Sequence, residues 1–145
     1  MEPGRERWWR LTGWSFLLGA ALDLPFGVGI LAAQRALAPL LGVTLPQGGA
    51  QASLDLNGLF LLALGVVYLL VFREPERLAP VAAAATLLRF GGFALFYTDV
   101  LYGRADRFYL AIGTLEAFLG LLHMFCLRMA AGSLVSAFRR REPVM

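Results

Sequence analysis

The stretch LNGLFLLALGVVYLLVFREPERLAPVAAAATLLRFGGFALFYTDV, residues 56–100, decides the fold. Two apolar segments, 56–72 and 78–100, flank a charged turn, REPER, at 73–77. A helix rises about 1.5 Å per residue, and about 20 apolar residues cross the roughly 30 Å hydrocarbon core of a bilayer. The stretch therefore predicts a transmembrane helical hairpin, with its first helix extended by about one turn before residue 57.

Two further apolar segments, 10–34 and 108–129, complete the pattern. Hydrophobic residues make up 59% of the 145 residues, whereas soluble domains average about 45–50%. The mean hydropathy is +0.67. The sequence predicts an all-α integral membrane protein, an up-down-up-down bundle of four transmembrane helices that forms a single membrane domain over 1–145.

The first segment begins with RERWWR, which is typical of a signal peptide, but its apolar stretch is too long and lacks a cleavage site. We interpret it as a retained helix with its tryptophans near the headgroups. Pro25 is expected to bend the helix, or to end its regular hydrogen bonding, beside Asp23. Residues 35–54 predict an interfacial half-helix, ALAPLLGV, followed by a polar loop.

Arginine placement predicts the orientation. Nine arginines lie at the N-terminus, the 73–77 turn and the C-terminal end, whereas the opposite side has three. By the positive-inside rule both termini, including the basic tail at 130–145, face the cytoplasm of a bacterial inner membrane. The nine are Arg5, Arg7, Arg10, Arg73, Arg77, Arg128, Arg139, Arg140 and Arg141; the three are Arg35, Arg104 and Arg107.

Several classes of chemistry find no support in the sequence. The positive charge comes entirely from arginine and carries no nucleic-acid inference. Cys126 is the only cysteine, which excludes an internal disulfide and a CxxC redox pair, so a buried structural thiol is expected. His123 is the only histidine and forms a poor metal set with Cys126; hydrogen bonding to a neighbouring helix is the favoured interpretation, although a single axial ligand role stays open. No metal and no cofactor are predicted.

Three ionisable residues, Asp23, Arg89 and Glu116, lie within the apolar segments. A charge at the bilayer centre costs about 2.5–3.5 kcal/mol on insertion scales, so such residues face the bundle interior and pair. Counted from the segment ends, they lie about 10, 13 and 12 Å below the outer surface respectively. The sequence therefore predicts that they converge in the outer half of the bundle.

Small residues share the helical faces of these charges, as helix contacts in lipid favour. Asn57 and Tyr68 lie on one stripe of the second segment, and His123 shares a face with Glu116. The predicted polar cluster, which could also bind a ligand, comprises Asp23, Asn57, Tyr68, Arg89, Glu116 and His123. Tyr68 is expected to be a core tyrosine that uses its hydroxyl on a neighbouring helix.

One arginine facing two carboxylates leaves an unbalanced negative charge, which a proton, water or a cation would compensate. Two interpretations stay open. The cluster is a structural lock, with an Arg89–Glu116 bridge between the third and fourth helices and Asp23 capping backbone groups near Pro25. Alternatively, the cluster binds a polar headgroup or carries a proton.

The pattern resembles a known class of proteins. The proline-containing segment ALAPLLGVTLP precedes LNGLFLLALGVVYLLVFREPERL, and a basic residue in LLRFGGF and an acidic one in GTLEAFLGLL follow. Over most of residues 10–128 this is similar to the small bacterial four-helix membrane proteins called DoxX-like. The resemblance implies the four-helix architecture and the positions of Arg89 and Glu116. The class is associated with redox or stress membrane complexes, but this chain lacks a cysteine pair for such a role.

Three functions compete. The first is a non-catalytic accessory or structural subunit of a membrane assembly or homo-oligomer, in which the cluster bonds internally without a cavity. The second is a binder or carrier of a lipid or small amphipathic ligand, with Arg89 at the polar end of a pocket lined by Asn57, Tyr68, Phe93 and Phe96. The third is an integral-membrane enzyme, such as an isomerase, with Glu116 and Asp23 as acid and base.

Overall fold

The structure, a computed structural model, describes residues 3–40, 42, 44 and 49–139. These residues are almost entirely helical, with no β-strand among them, which confirms the predicted all-α class. The elements are α1 (Pro3–Val28), a π-helical segment (Gly29–Ala33), α2 (Gln34–Leu40), α3 (Gly49–Arg73), α4 (Ala79–Leu101), α5 (Phe108–Ala131) and α6 (Leu134–Arg139).

Within the part of the chain that the structure describes, four helices are long and apolar enough to cross a membrane: Gly4–Ala36, Gln51–Arg73, Ala79–Leu101 and Phe108–Ala131. The predicted boundaries of the last two were accurate, because charged turns delimit these helices in the sequence. α3, however, begins at Gly49, so the end of the predicted polar loop is helical. Alanine and glutamine favour a helix there, and no proline interrupts them.

The first segment departs most from its prediction. α1 begins at Pro3, since proline is tolerated in the first turn of a helix, where no intrahelical donor is needed. The helix continues through Pro25 and changes to π-helical geometry at Gly29–Ala33. Pro25 donates no intrahelical hydrogen bond, and the change to π-helical geometry begins four residues beyond it.

The predicted half-helix is a continuation of the first helix. α2 follows the π-helical segment without a break and extends to Leu40, with Pro39 inside it. The remainder of ALAPLLGV and of the polar loop lies mostly outside the described residues, as do Arg140 and Arg141 of the basic tail.

The chain divides into two compact units: a terminal unit, Met1–Phe16 with Leu70–Met145, and a middle unit, Leu17–Leu69. In the terminal unit, Tyr97 packs at Gly113 and Phe90 packs at Gly120. The later residue of α4 therefore contacts the earlier residue of α5, and the earlier residue contacts the later one. The two helices run antiparallel. Gly103, with φ of 68°, adopts the left-handed conformation that ends α4.

In the middle unit, α1 and the π-helical segment pack against α3 through glycines. A Cβ at Gly65 would lie 2.7 Å from Cδ2 of Leu24, and one at Gly58 would lie 2.8 Å from Cγ2 of Ile30. The later residue of the first helix, Ile30, contacts the earlier glycine of α3, Gly58, and the earlier residue, Leu24, contacts the later glycine, Gly65. These helices are therefore antiparallel, and the glycines of α3 leave room for the side chains of the first helix.

Candidate functional site

An ion pair between α4 and α5 forms the centre of the candidate site. Nη1 of Arg89 donates a hydrogen bond of 2.6 Å to Oε1 of Glu116. The Arg89 side chain is 1% exposed and the Glu116 side chain 15%. The predicted bridge is thus present, with the arginine enclosed and the glutamate side chain partly exposed.

Glycines make room for the pair on both helices. A Cβ at Gly120 would lie 3.3 Å from Cβ of Arg89 and 3.2 Å from two ring carbons of Phe90. A Cβ at Gly92 would lie 3.6 Å from Cγ of Glu116, an ordinary van der Waals distance. The small residues predicted beside the charges therefore line the α4–α5 contact, with Gly120 the tighter position.

His123 is fully buried in the terminal unit and joins α5 to α1. Its Nδ1 lies 3.1 Å from Oγ of Ser15, and its ring stacks on Phe16 with centroids 4.1 Å apart. The prediction that His123 bonds a neighbouring helix is confirmed. The sequence did not identify Ser15, because a lone serine in an apolar helix gives no signal beyond its polarity.

The hydrogen bonds of Ser15 assign the tautomer of His123. The single hydroxyl proton of Ser15 is donated to the carbonyl oxygen of Thr12 at 2.7 Å, since a carbonyl can only accept. Ser15 must then accept from Nδ1 of His123. In the neutral ring the proton is therefore on Nδ1, and Nε2 is the basic nitrogen.

The predicted cluster residues of the middle unit have different environments. Asp23 and Tyr68 are buried, with exposed fractions of 4% and 0%. Asn57 is exposed, so its predicted inward position is wrong. Its neighbour Gly58 faces the first helix instead, and successive helical residues point about 100° apart. The convergence of Asp23 and Tyr68 with the ion pair stays a prediction.

A polar network in the middle unit was missed by the sequence analysis. Nε2 of Gln34 donates to Oδ1 of Asp55 at 2.9 Å, and Nε2 of Gln51 donates to the same oxygen at 2.9 Å and to Oε1 of Gln34 at 2.8 Å. The network ties α2 to the first turns of α3. Its signal was the i, i+4 spacing of Gln51 and Asp55, which is informative only once the segment is known to be helical.

The described residues, 3–40, 42, 44 and 49–139, contain no group of three or more His, Cys, Asp or Glu side chains placed to hold a metal ion. Cys126 is buried on α5 with a free thiol. Three pairs of polar side chains in the terminal unit connect helices: Arg89 with Glu116, His123 with Ser15, and Tyr97 with Thr114.

Comparison with protein-family models, curated proteins and solved structures finds no match to this chain. The likeness to DoxX-like proteins therefore stays an expectation from the sequence.

Proposed function

We propose that the chain is a multi-pass protein of the bacterial cytoplasmic (inner) membrane, with its four long helices crossing the bilayer up-down-up-down. Large apolar side chains exposed along these helices support the proposal, because lipid accommodates a surface that water disfavours. They include Leu18, Phe26, Leu59, Phe60, Val66, Leu70, Leu87, Leu88, Leu95, Phe118, Leu121 and Phe125.

Contacts in the terminal unit support placing both termini on one side. Nε of Arg5 donates to the carbonyl oxygen of Ala130 at 3.0 Å, so the start of α1 lies beside the end of α5. Trp8 packs on Phe125 near this end, and Tyr102 follows α4 at the opposite end of the hairpin. Aromatic residues at both ends are typical of membrane interfaces, and the arginine bias assigns the Arg5 end to the cytoplasm.

The role that the geometry supports best is that of a non-catalytic accessory or structural subunit, in a homo-oligomer or a larger membrane assembly. The observation that carries this proposal is the Arg89–Glu116 pair, whose opposite charges balance within the α4–α5 contact. Such a pair couples the two helices, because removal of either partner is costly to the other charge. The lipid bilayer and other membrane subunits are then the partners.

Native mass measurement of the protein extracted in a mild detergent tests this role. We expect a particle heavier than the 15.8 kDa chain, containing further copies or a second polypeptide. The charge-reversed double variant Arg89→Glu/Glu116→Arg should retain the assembly better than either single variant. A monomer accompanied only by lipid would contradict the subunit role.

One observation favours a second function, a binder of lipid or a small amphipathic ligand. The Glu116 side chain is 15% exposed, whereas the Arg89 side chain is only 1% exposed. It could accept a hydrogen bond from a ligand with N–H donors, such as phosphatidylethanolamine. Phosphatidylcholine, whose headgroup has no donor, is the matched control lipid.

Thermal stabilisation in detergent distinguishes the two functions. For the binder, added phosphatidylethanolamine raises Tm more than phosphatidylcholine does. Gly92→Val, which places methyl groups beside the Glu116 carboxyl group, removes the difference, whereas Gly91→Val, with no atom within 4 Å of its Cβ position, retains it. Equal effects of the two lipids on the unmodified protein exclude this ligand class.

A further inference from the structure

The short helix α6 is held firmly at the end of the α4–α5 hairpin. Gly132, with φ of 88°, ends α5, and Ser133 and Ser136 then cap α6 reciprocally: the N–H of each donates to the hydroxyl of the other, at 2.9 and 3.0 Å. The Ser136 hydroxyl also donates to the carbonyl oxygen of Ala131 at 2.6 Å. α6 packs against both α4 and α5, with Ala137 fully buried.

The opposite face of α6 combines exposed apolar side chains with a cation. Val135 is 59% exposed and Phe138 44% exposed, and Arg139 is exposed at the end of the helix. Positions i, i+3 and i+4 share one helical face. A helix with an apolar face and a terminal arginine has the chemistry of a membrane-surface helix.

The adjoining helix ends add positive charge. Arg128 is exposed in the last turn of α5, and Arg5 is bound to the carbonyl oxygen of Ala130 in the same turn. The acidic Glu6 of α1 lies 3.5 Å from Arg10 and is balanced by it. This end of the terminal unit is therefore complementary in charge to anionic phospholipids.

We propose that α6 lies in the headgroup layer and binds the anionic phospholipid surface. Val135 and Phe138 enter the boundary of the acyl chains, while Arg128 and Arg139 contact lipid phosphates. The proposal rests on the membrane insertion proposed above and adds a lipid class and a site. The reciprocal caps supply a reason for a stable six-residue helix: they hold the apolar face towards the lipid before any lipid binds.

A depth measurement tests the apolar half of the proposal. A Cys126→Ala variant, which lacks the native thiol, carries a nitroxide at Val135→Cys and is placed in nanodiscs of phosphatidylcholine and phosphatidylglycerol in equal amounts. We expect greater collision with oxygen than with a water-soluble nickel chelate, and the reverse for a label at Asp106→Cys, an exposed position in the charged loop at the far end of the hairpin. Preferential collision of the Val135→Cys label with the nickel chelate would overturn the proposal.

A lipid-selectivity measurement tests the charged half. Short-chain phosphatidylglycerol, added to the protein in a neutral detergent, should raise Tm by more than short-chain phosphatidylcholine, and added salt should reduce the difference. Arg128→Gln/Arg139→Gln should lose the difference, whereas Arg104→Gln, at the far end of the hairpin, should keep it. Equal shifts with the two lipids, or an unchanged difference in the double variant, would overturn the proposal.

Failure of membrane insertion has a separate signature. An integral protein stays with membranes washed at alkaline pH, whereas a peripheral one is released. If the protein is released, the proposed function fails. If it is retained but shows no preference for phosphatidylglycerol, only the α6 proposal fails.

Discussion

In the terminal unit, α4 and α5 meet around a buried ion pair, whereas in the middle unit the first helix and α3 meet through glycines that bring backbones together. Arg89 and Glu116 are 2.6 Å apart. A Cβ at Gly27 would lie 2.9 Å from the carbonyl oxygen of Gly58. In the membrane insertion proposed above, lipid is as apolar as leucine, so helices associate through packing and through polar contacts. The middle unit shows the first kind of contact at its glycines, and the terminal unit shows the second at its ion pair.

The two contacts should be broken by opposite changes. An ion pair is vulnerable to truncation, because the remaining charge keeps its burial and loses its partner. A glycine contact is vulnerable to enlargement, because added atoms meet backbone or the inner part of a side chain. Substitutions at matched positions can therefore establish whether the difference between the units is energetic as well as geometric.

The largest effect is expected for Glu116→Ala. Arg89 would lose its hydrogen bond to Glu116. Removal of one partner of a fully buried pair costs about 3–5 kcal/mol, and the partial exposure of Glu116 places the expected loss below that range. Reversible unfolding in mixed detergent micelles, monitored by circular dichroism, measures the loss in the free energy of unfolding.

An exposed ion pair on the same hairpin provides the control. Asp99 and Arg104 lie 2.8 Å apart, but the arginine side chain is 60% exposed. Asp99→Ala should cost only about 0.2–1 kcal/mol. Similar losses in the free energy of unfolding for Glu116→Ala and Asp99→Ala would show that burial does not increase the cost of breaking an ion pair. The Arg89–Glu116 pair would then be energetically equivalent to a surface pair.

A smaller effect is expected from enlarging the glycine contact. In Gly65→Ala the added methyl would meet Leu24 at 2.7 Å, and overpacking of this kind costs about 1–3 kcal/mol. The matched control is Gly91→Ala on α4, where no atom lies within 4 Å. There the helix propensity of alanine should raise stability by about 0.5–1 kcal/mol. The same micelle assay compares them, and a neutral Gly65→Ala would contradict close packing in the middle unit.

The sequence predicted the ion pair because two kinds of evidence agreed. Each charge lies within an apolar segment, and a short charged loop makes the two segments an antiparallel hairpin, which brings residues of equal depth together. Charged turns at 73–77 and 102–107 also delimited α4 and α5 closely. Both arguments depend on the high energy of charge in lipid, which leaves few alternatives.

Uncharged polar residues were predicted less well. Asn57 was placed inward although it is exposed, and Ser15 was not recognised as the partner of His123. Gln51 was assigned to a loop although it is helical. A neutral amide or hydroxyl is tolerated on several faces of a helix, so local sequence cannot choose its partner. Tertiary packing makes that choice.

The histidine contact should have an intermediate effect. Ser15→Ala removes the acceptor of the Nδ1 proton of His123 within a buried contact, and a buried donor left unsatisfied costs about 1–2 kcal/mol. Ser15→Ala/His123→Phe removes both partners and should lose less than the sum of the single variants. Additive losses would show that the two side chains do not interact.

Nitrogen-15 NMR of the labelled histidine checks the tautomer directly. With one histidine in the chain, the spectrum needs no assignment. We expect the neutral ring to carry its proton on Nδ1. A proton on Nε2 would reverse the donor and acceptor at Ser15 and contradict the assigned hydrogen-bond order.

The smallest effect is expected for the polar network at the end of the middle unit. Asp55→Ala removes the oxygen that accepts from both Gln34 and Gln51, but the network is only partly buried, so the two amides can bond to water instead. The loss should be about 0.5–1 kcal/mol in the micelle assay. Asn57→Ala, an exposed position two residues further along α3, is the control and should change stability less. If Asn57→Ala is the more damaging, the Asn57 side chain faces inward as the sequence predicted. Gly58 and Gly65 would then not form the face of α3 that packs against the first helix.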